Sequence, residues 1–535
     1  MLSGGIRGIE IVFLVLLLSV VIFALLARKL KTPYPIVLVV AGLLISFVPG
    51  IPHIALNSNV VFLVVLPPLL YSAAWLTSWR EFKYNLVSIL LLAFGLVGFT
   101  ALGIAETARW VFAGFDWRLG FALGAVVSTT DAIAATSIAN RLGLPQRIVD
   151  ILEGESLVND ATGLVTLEIA IALIVTGRTP SVAAGAARLS YLILAGLAVG
   201  LVGGLIVEWI EKHIEDAPIE IVLSILTPYS VYLLAESVSA SGVLAVVACG
   251  LYLSRQSSTF FSPSVRLQAW AVWDSLTFAI NGLVFVLIGL QLPYVLAGIR
   301  EYSMRVLLQY GVLFSAIVII LRLLWIYPGA YLAYLIRTRG LGQKYECPSV
   351  KQAFVVGWTG MRGVVALAAA IALPVTMSDG SPFPARNLII FLTFSVIFVT
   401  LVLQGLTLPP LIRALGLAGM KGGNCEEEEA RRILASNALA HLEQVRAGDR
   451  VDFALVYDDI ARSYARRLAS LGNENSDDAP KSNEELDRYR TLIGELLKVE
   501  RKTAVSLRNE GRINDEVLRK LEHELDLSET RLALS

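Results

Sequence analysis

Long apolar runs separated by short polar stretches dominate the chain up to about residue 414. A helix that crosses a bilayer needs about 20 largely apolar residues. Thirteen runs meet or approach that length, at 8–27, 33–50, 59–77, 86–106, 118–139, 150–177, 186–210, 217–237, 240–254, 271–293, 304–336, 350–375 and 387–414. The ninth is short for a crossing, and the eleventh is long enough to require tilt or a kink near Pro328. Beyond residue 420 the pattern changes. Cys425-Glu-Glu-Glu-Glu-Ala-Arg-Arg432 opens an amphipathic stretch to about 446, and Leu471–Asn483 is a linker rich in Asn, Asp and Ser. Leu492, Leu496, Leu497, Leu521 and Leu525 then recur at helical spacing among charges of both signs. The pattern predicts an all-α polytopic membrane protein with about 13 transmembrane helices over 1–418, followed by a helical domain over 419–535. The tail is expected to be cytoplasmic and to regulate the protein or support a dimer.

Composition agrees. Of 535 residues 56% are hydrophobic and 16% charged, with mean hydropathy +0.69, whereas soluble domains carry roughly 25% charged residues. The zero net charge hides an asymmetry: residues 421–535 hold 19 Lys/Arg and 24 Asp/Glu, leaving 25 and 20 for the rest. The first apolar run lacks a cleavage site and leads into Arg28-Lys29-Leu30-Lys31, so it reads as a crossing rather than a signal peptide. Basic residues favour cytoplasmic loops. Placing the N-terminus outside gives about 14 Lys/Arg in the inner loops against about 8 outside. An odd number of crossings then places the tail in the cytoplasm, and the whole in the plasma (inner) membrane.

Several chemistries are excluded by their missing motifs. Cys249, Cys347 and Cys425 have no metal-ligand or disulfide spacing, and His53, His213, His441 and His523 lie outside the apolar runs. No phosphate-binding loop, zinc-protease motif or nucleophile elbow occurs, so neither an enzyme nor an ATP-driven pump is expected. No cofactor and no nucleic-acid partner is implied.

What remains is charge within apolar runs, where an ionisable group costs several kcal/mol and marks a pathway by default. Asp131, Glu153, Glu155, Asp160, Glu168, Arg322 and Arg362 all lie there. Helical spacing sorts the acids: Ser156 and Asp160 share one face and can hold a cation together, while Glu155 and Asn159 form the adjacent pair. Arg322 is a partner for Glu155 from another helix. The alternative is that all of these belong to one inert polar network. Ser128-Thr-Thr-Asp131 and Gly357-x-x-Gly360-x-x-Gly363 cluster small and hydroxylated residues, one stretch in each half of the chain. They fit either two interrupted helices of an inverted-repeat transporter or tight helix packing.

Taken together these residues resemble the monovalent cation/proton antiporter superfamily, in the NhaP-type branch that includes animal sodium/proton exchangers. The centre of the resemblance is Glu155-Ser-Leu-Val-Asn-Asp160-Ala161. Leu66-Pro-Pro-Leu-Leu70, Ser128-Thr-Thr-Asp131, Asn281–Pro293, Gly360-Met-Arg-Gly-Val-Val365 and Leu403-Gln-Gly-Leu-Thr-Leu-Pro409 support it, over roughly residues 10–415. The resemblance implies an NhaA-like fold with two interrupted crossing helices, and a homodimer whose mobile core carries ions past a fixed domain. It implies Na+ or H+ at Asp160, with Ser156 and the Thr130 backbone as co-ligands and Asp131 at the helix break. Glu155, Asn159, Arg322 and Arg362 would form the polar network of the core. The sequence departs from the family at Thr129 and Ala132, where prolines are usual, and at Tyr71–Ala74, where a carboxylate is common.

The resemblance implies secondary antiport of Na+ or Li+ against H+ by alternating access, and, with Asn159 in place of a second acid, an electroneutral one-for-one exchange. The rivals are a K+/H+ antiporter of the same fold, a cation channel, and a sensor whose tail does the work.

Overall fold

The computed structural model describes residues 6–47, 58–112, 115–176, 182–214, 216–261, 263–299, 302–377 (except 344 and 348), 380–419 and 425–448, with scattered positions beyond. They form two compact units, Met1–Lys421 and Gly422–Ser535.

Among its described residues the first unit is helical apart from connecting turns and one isolated bridge between Thr376 and Pro382. Among the described residues ten helices are long and apolar enough to cross a membrane, and Tyr34–Ser46 and Gly242–Gln256 are shorter apolar helices. The short run at 240–254 therefore belongs to a helix, Gly242–Phe260, buried along most of its length. Several helices run further than their apolar cores. The segment expected as a loop at 78–85 is the start of a helix spanning Trp79–Val111, because Phe82 and Asn85, three apart, bury one face of a polar stretch. Likewise Pro263–Leu290 takes in part of the expected loop 255–270. Chain ends are set by local chemistry: Ser349 and Gln352 form a reciprocal capping box at the start of Val350–Trp358, and the Ser303 hydroxyl accepts from Val306 N to open Met304–Leu335. Pro328 lies inside that last helix, as expected.

Large apolar side chains cover the outside of the unit. Leu14, Leu18 and Leu25 on the first helix are 64%, 58% and 60% exposed, and Leu194 and Trp209 on Val182–Glu211 are 67% and 65% exposed. Such a surface is unfavourable in water and ordinary in lipid.

Two helices are interrupted. One runs Trp117–Ser128, breaks at 129–131 and resumes as Ala132–Leu142; the other runs Val350–Trp358, breaks at 359–363 and resumes as Val364–Ile371. Each is flanked in sequence by one long helix on either side. Trp79–Val111 and Gln146–Thr176 flank the first, and Met304–Gly340 and Arg386–Ala414 flank the second. The chain thus contains two matched three-helix units. Their breaks touch, with Asp131 N donating to Met361 O at 2.8 Å.

In the second compact unit, Cys425–Gly448 is a helix and Arg446 pairs with Asp458 at 2.9 Å. The expected linker 471–483 and most of the expected helical stretch 484–533 lie outside the described residues.

Candidate functional site

Breaking a helix leaves backbone carbonyls without partners at the end of its first half and N–H groups without partners at the start of its second. In a membrane interior these must be satisfied by protein, and here side chains from within each unit do so, with Arg362 reaching from the second unit to the first break.

At the first break the carbonyl of Val127 accepts from Arg362 Nε at 2.9 Å, and that of Ser128 accepts from Asn159 Nδ2 at 3.0 Å. The Arg362 guanidinium also bonds the Gly360 carbonyl, and its backbone N donates to Thr400 Oγ1 at 3.2 Å. At the second break Arg322 donates from Nε to Gly357 O and from Nη2 to Val356 O, both at 3.1 Å. A guanidinium therefore caps each half-helix C-terminus, where the helix dipole is negative. The opposite pole is met by Asp131, whose Oδ1 accepts from Ile133 N at 2.8 Å at the start of Ala132–Leu142. Two glycines make room for this crossing. A Cβ on Gly363 would lie 2.3 Å from Asp131 Oδ2, and one on Gly360 would lie 2.3 Å from Arg322 Cδ.

The helix Gln146–Thr176 presents its polar residues to this crossing. Glu155 and Arg322 form a two-pronged ion pair, Nη1–Oε1 2.5 Å and Nη2–Oε2 2.9 Å, and each is 1% exposed. Thr130 Oγ1 donates to Glu155 Oε1 at 3.3 Å and accepts from Asn159 Nδ2 at 3.0 Å. The expected Glu155–Asn159 neighbours are thus joined through Thr130. Ser156 Oγ donates to Thr130 O at 2.9 Å, bringing two of the expected cation ligands together.

Asp160 is different. It is 6% exposed, yet among the described residues no hydrogen bond or ion pair reaches its carboxylate, including from Ser156 one turn back. Nearby, Asn159 Oδ1 is also buried without a donor. Two oxygen groups that present lone pairs but receive no protons suit a cation or an added proton.

The structure corrects one expectation. Glu168 is not part of the buried set; its side chain is 56% exposed and pairs with Arg188 at 3.2 Å, more than two turns beyond Asp160. Glu153 is half-buried and outside the network. Cys249 is buried and Cys347 exposed, both free, and no metal-ligand cluster of three or more His, Cys, Asp or Glu occurs among the described residues. Sequence reasoning did not find Thr400 as a partner of Arg362, and a threonine in an apolar run carries no signal that it will hold a backbone amide 38 residues away.

Comparison with known proteins identifies the family and the fold. Residues 15–414 match the family described as "Sodium/hydrogen exchanger, transmembrane". A Mycobacterium tuberculosis protein described as an uncharacterized Na+/H+ exchanger is 34% identical over 98% of this chain and 96% of its own length. A Bacillus pumilus sodium, potassium, lithium and rubidium/H+ antiporter is 32% identical over 88% of this chain and 70% of its own. The solved structure of a sodium proton antiporter from Methanocaldococcus jannaschii shares the fold, with TM-score 0.56 and 21% identity over 76% of this chain and 99% of that one. The chain belongs to the transmembrane sodium/hydrogen exchanger family.

Proposed function

We propose that the protein exchanges Na+, or Li+, for H+ across the plasma membrane by letting the two compete for Asp160. One observation carries this reading: three carboxylates and two guanidiniums meet around the crossing, and the only one of the five with no hydrogen bond or ion pair among the described residues is Asp160. Glu155 is neutralised by Arg322, and Asp131 and Arg362 oppose the half-helix dipoles. One negative charge remains, and one Na+ or one H+ cancels it. A core that moves only when neutral then couples the two gradients one for one. Ser156 Oγ and Thr130 O, now bonded to each other, are the neighbours that would turn towards a bound cation.

The assembly we infer is a homodimer with the N-terminus outside and residues 419–535 as a cytoplasmic regulatory domain. The basic bias of the inner loops supports that orientation. The reaction needs only the chain, the bilayer and the two ions. A second reading, K+ as the main cation, is favoured by the B. pumilus relative, whose name includes potassium. Proteoliposomes carrying an internal pH dye, challenged with Na+, Li+ and K+ in turn, separate the readings. Sodium and lithium should release internal protons more strongly than potassium; a reversed order would assign the protein to K+. Ion flux without any pH change would instead mark a channel.

A further inference from the structure

A second group of buried charge lies away from the crossing. Arg337, fully buried at the end of the Met304–Gly340 crossing, stacks on Tyr345 with its guanidinium carbon 3.7 Å from the ring centroid. Arg147, in the first turn of Gln146–Thr176, stacks on the same ring at 4.0 Å. Tyr84 lies 4.2 Å from the Arg337 guanidinium and accepts from it through its carbonyl, and Gln343 Oε1 accepts from Arg337 Nε at 3.1 Å.

Two guanidiniums on one phenol ring repel each other, and among the described residues neither has a carboxylate partner. The acid one turn beyond Arg147, Asp150, instead accepts from Gln146 at 3.1 Å. Arg337 Nη1 and Arg147 Nη2 are both buried with no hydrogen-bond partner. Buried guanidinium nitrogens are rarely left so. Burial raises the pKa of the Tyr345 phenol, but the hydrogen bonds of Ser88 and Arg147 and the charges of Arg147 and Arg337 outweigh it, and the net shift is downward. The same positive field would draw any anion brought to the ring.

A cavity of about 100 Å³ opens beside this group. Arg147, Tyr345, Ser88 and Gln352 line its polar end, and the rest of its wall is apolar, including Leu91, Ile151 and Ala330. Arg147 lies in the first turn of one crossing and Tyr345 just beyond the end of another, where a crossing helix would meet lipid headgroups.

We propose that this cavity binds an anionic phospholipid, whose phosphate takes the free Nη2 of Arg147 and whose acyl chain lies along the apolar wall. Arg337 contributes its charge through the shared ring. A basic end joined to an apolar wall between crossings is the chemistry of a lipid site, and the apolar wall gives a free phosphate ion nothing to bind. Because the cavity lies between Trp79–Val111, Gln146–Thr176, Met304–Gly340 and Val350–Trp358, the lipid would tie together both three-helix units.

Native mass spectrometry of the purified full-length chain tests this, using phosphatidylglycerol against phosphatidylcholine. The wild type should retain phosphatidylglycerol preferentially, and Arg147→Gln should lower retention roughly fivefold. Arg147→Lys should recover part of the loss. Ala330→Trp, which fills the apolar end and touches neither arginine, should also expel the lipid, and it decides the matter alone if Arg147→Gln does not fold. Equal retention by wild type and a folded variant overturns the proposal. So does displacement of the lipid by millimolar inorganic phosphate, which would mark a site for a free anion.

Discussion

The two three-helix units are alike in layout and opposite in charge. The first, Trp79 to Thr176, brings Asp131, Glu155 and Asp160 to the crossing; the second, Met304 to Ala414, brings Arg322 and Arg362. Each unit breaks its middle helix, and each arginine caps a half-helix C-terminus, Arg322 within its own unit and Arg362 in the other. A matched set of charges would make a rigid, inert joint. At the crossing the first unit brings one acid more than the second brings bases, and the surplus is Asp160, which no hydrogen bond or ion pair holds among the described residues. Held and unheld acids lie on one helix little more than a turn apart, Glu155 locked in a two-pronged pair and Asp160 bare.

Breaking the held pair should cost most. Glu155→Ala leaves Arg322 buried with no counter-charge and should lower stability by about 3–5 kcal/mol, read as a fall in thermal unfolding temperature in detergent. Adding Arg322→Met removes the stranded charge but also the donors to Gly357 O and Val356 O, so it should recover only part of that loss; no recovery at all would show that Arg322 counts here as a cap rather than as the partner of Glu155. Next comes Gly363→Ala. Its Cβ would meet Asp131 Oδ2 at 2.3 Å, so the units must separate, at about 1–3 kcal/mol. An unchanged unfolding temperature would contradict the tight crossing.

Asn159→Asp tests the boundary between the two kinds of acid. It replaces the donor that serves Ser128 O and Thr130 Oγ1 with an acceptor, so about 1–3 kcal/mol should be lost, and a second unheld acid should make exchange respond to voltage. Exchange that stays indifferent to an imposed potential would break the charge count. The smallest effect is expected from Glu168→Gln, outside the crossing. Its exposed pair with Arg188 should contribute no more than about 0.5 kcal/mol, and exchange should be unaltered.

Most of this arrangement was legible in the sequence, because a buried charge demands a partner and the chain offers few. Glu155 with Arg322 follows from that demand. The small and hydroxylated residues recurring once in each half fit tight packing equally well, and only the family resemblance implies the two interrupted helices that the structure shows. No proline stands at Thr129 or Ala132, yet the break at 129–131 is present. Here Arg362, Asn159 and Asp131 hold the freed carbonyl and amide groups from outside. Caps delivered from distant helices leave no local signature. The same holds for Arg147 and Arg337, which look like basic residues at crossing ends until the fold stacks both on Tyr345. Helix ends were misjudged for a related reason: amphipathic turns such as Trp79–Tyr84 continue a helix without continuing its hydrophobicity.

The central claim is that Asp160 is the one carboxylate left for the transported ion. Purified wild type and Asp160→Asn should be reconstituted side by side with an internal pH dye and given a sodium pulse. The account predicts rapid internal alkalinisation in the wild type, and none above protein-free vesicles in the variant, which should still purify and unfold as the wild type does. Sodium-dependent proton release that survives in Asp160→Asn would contradict it.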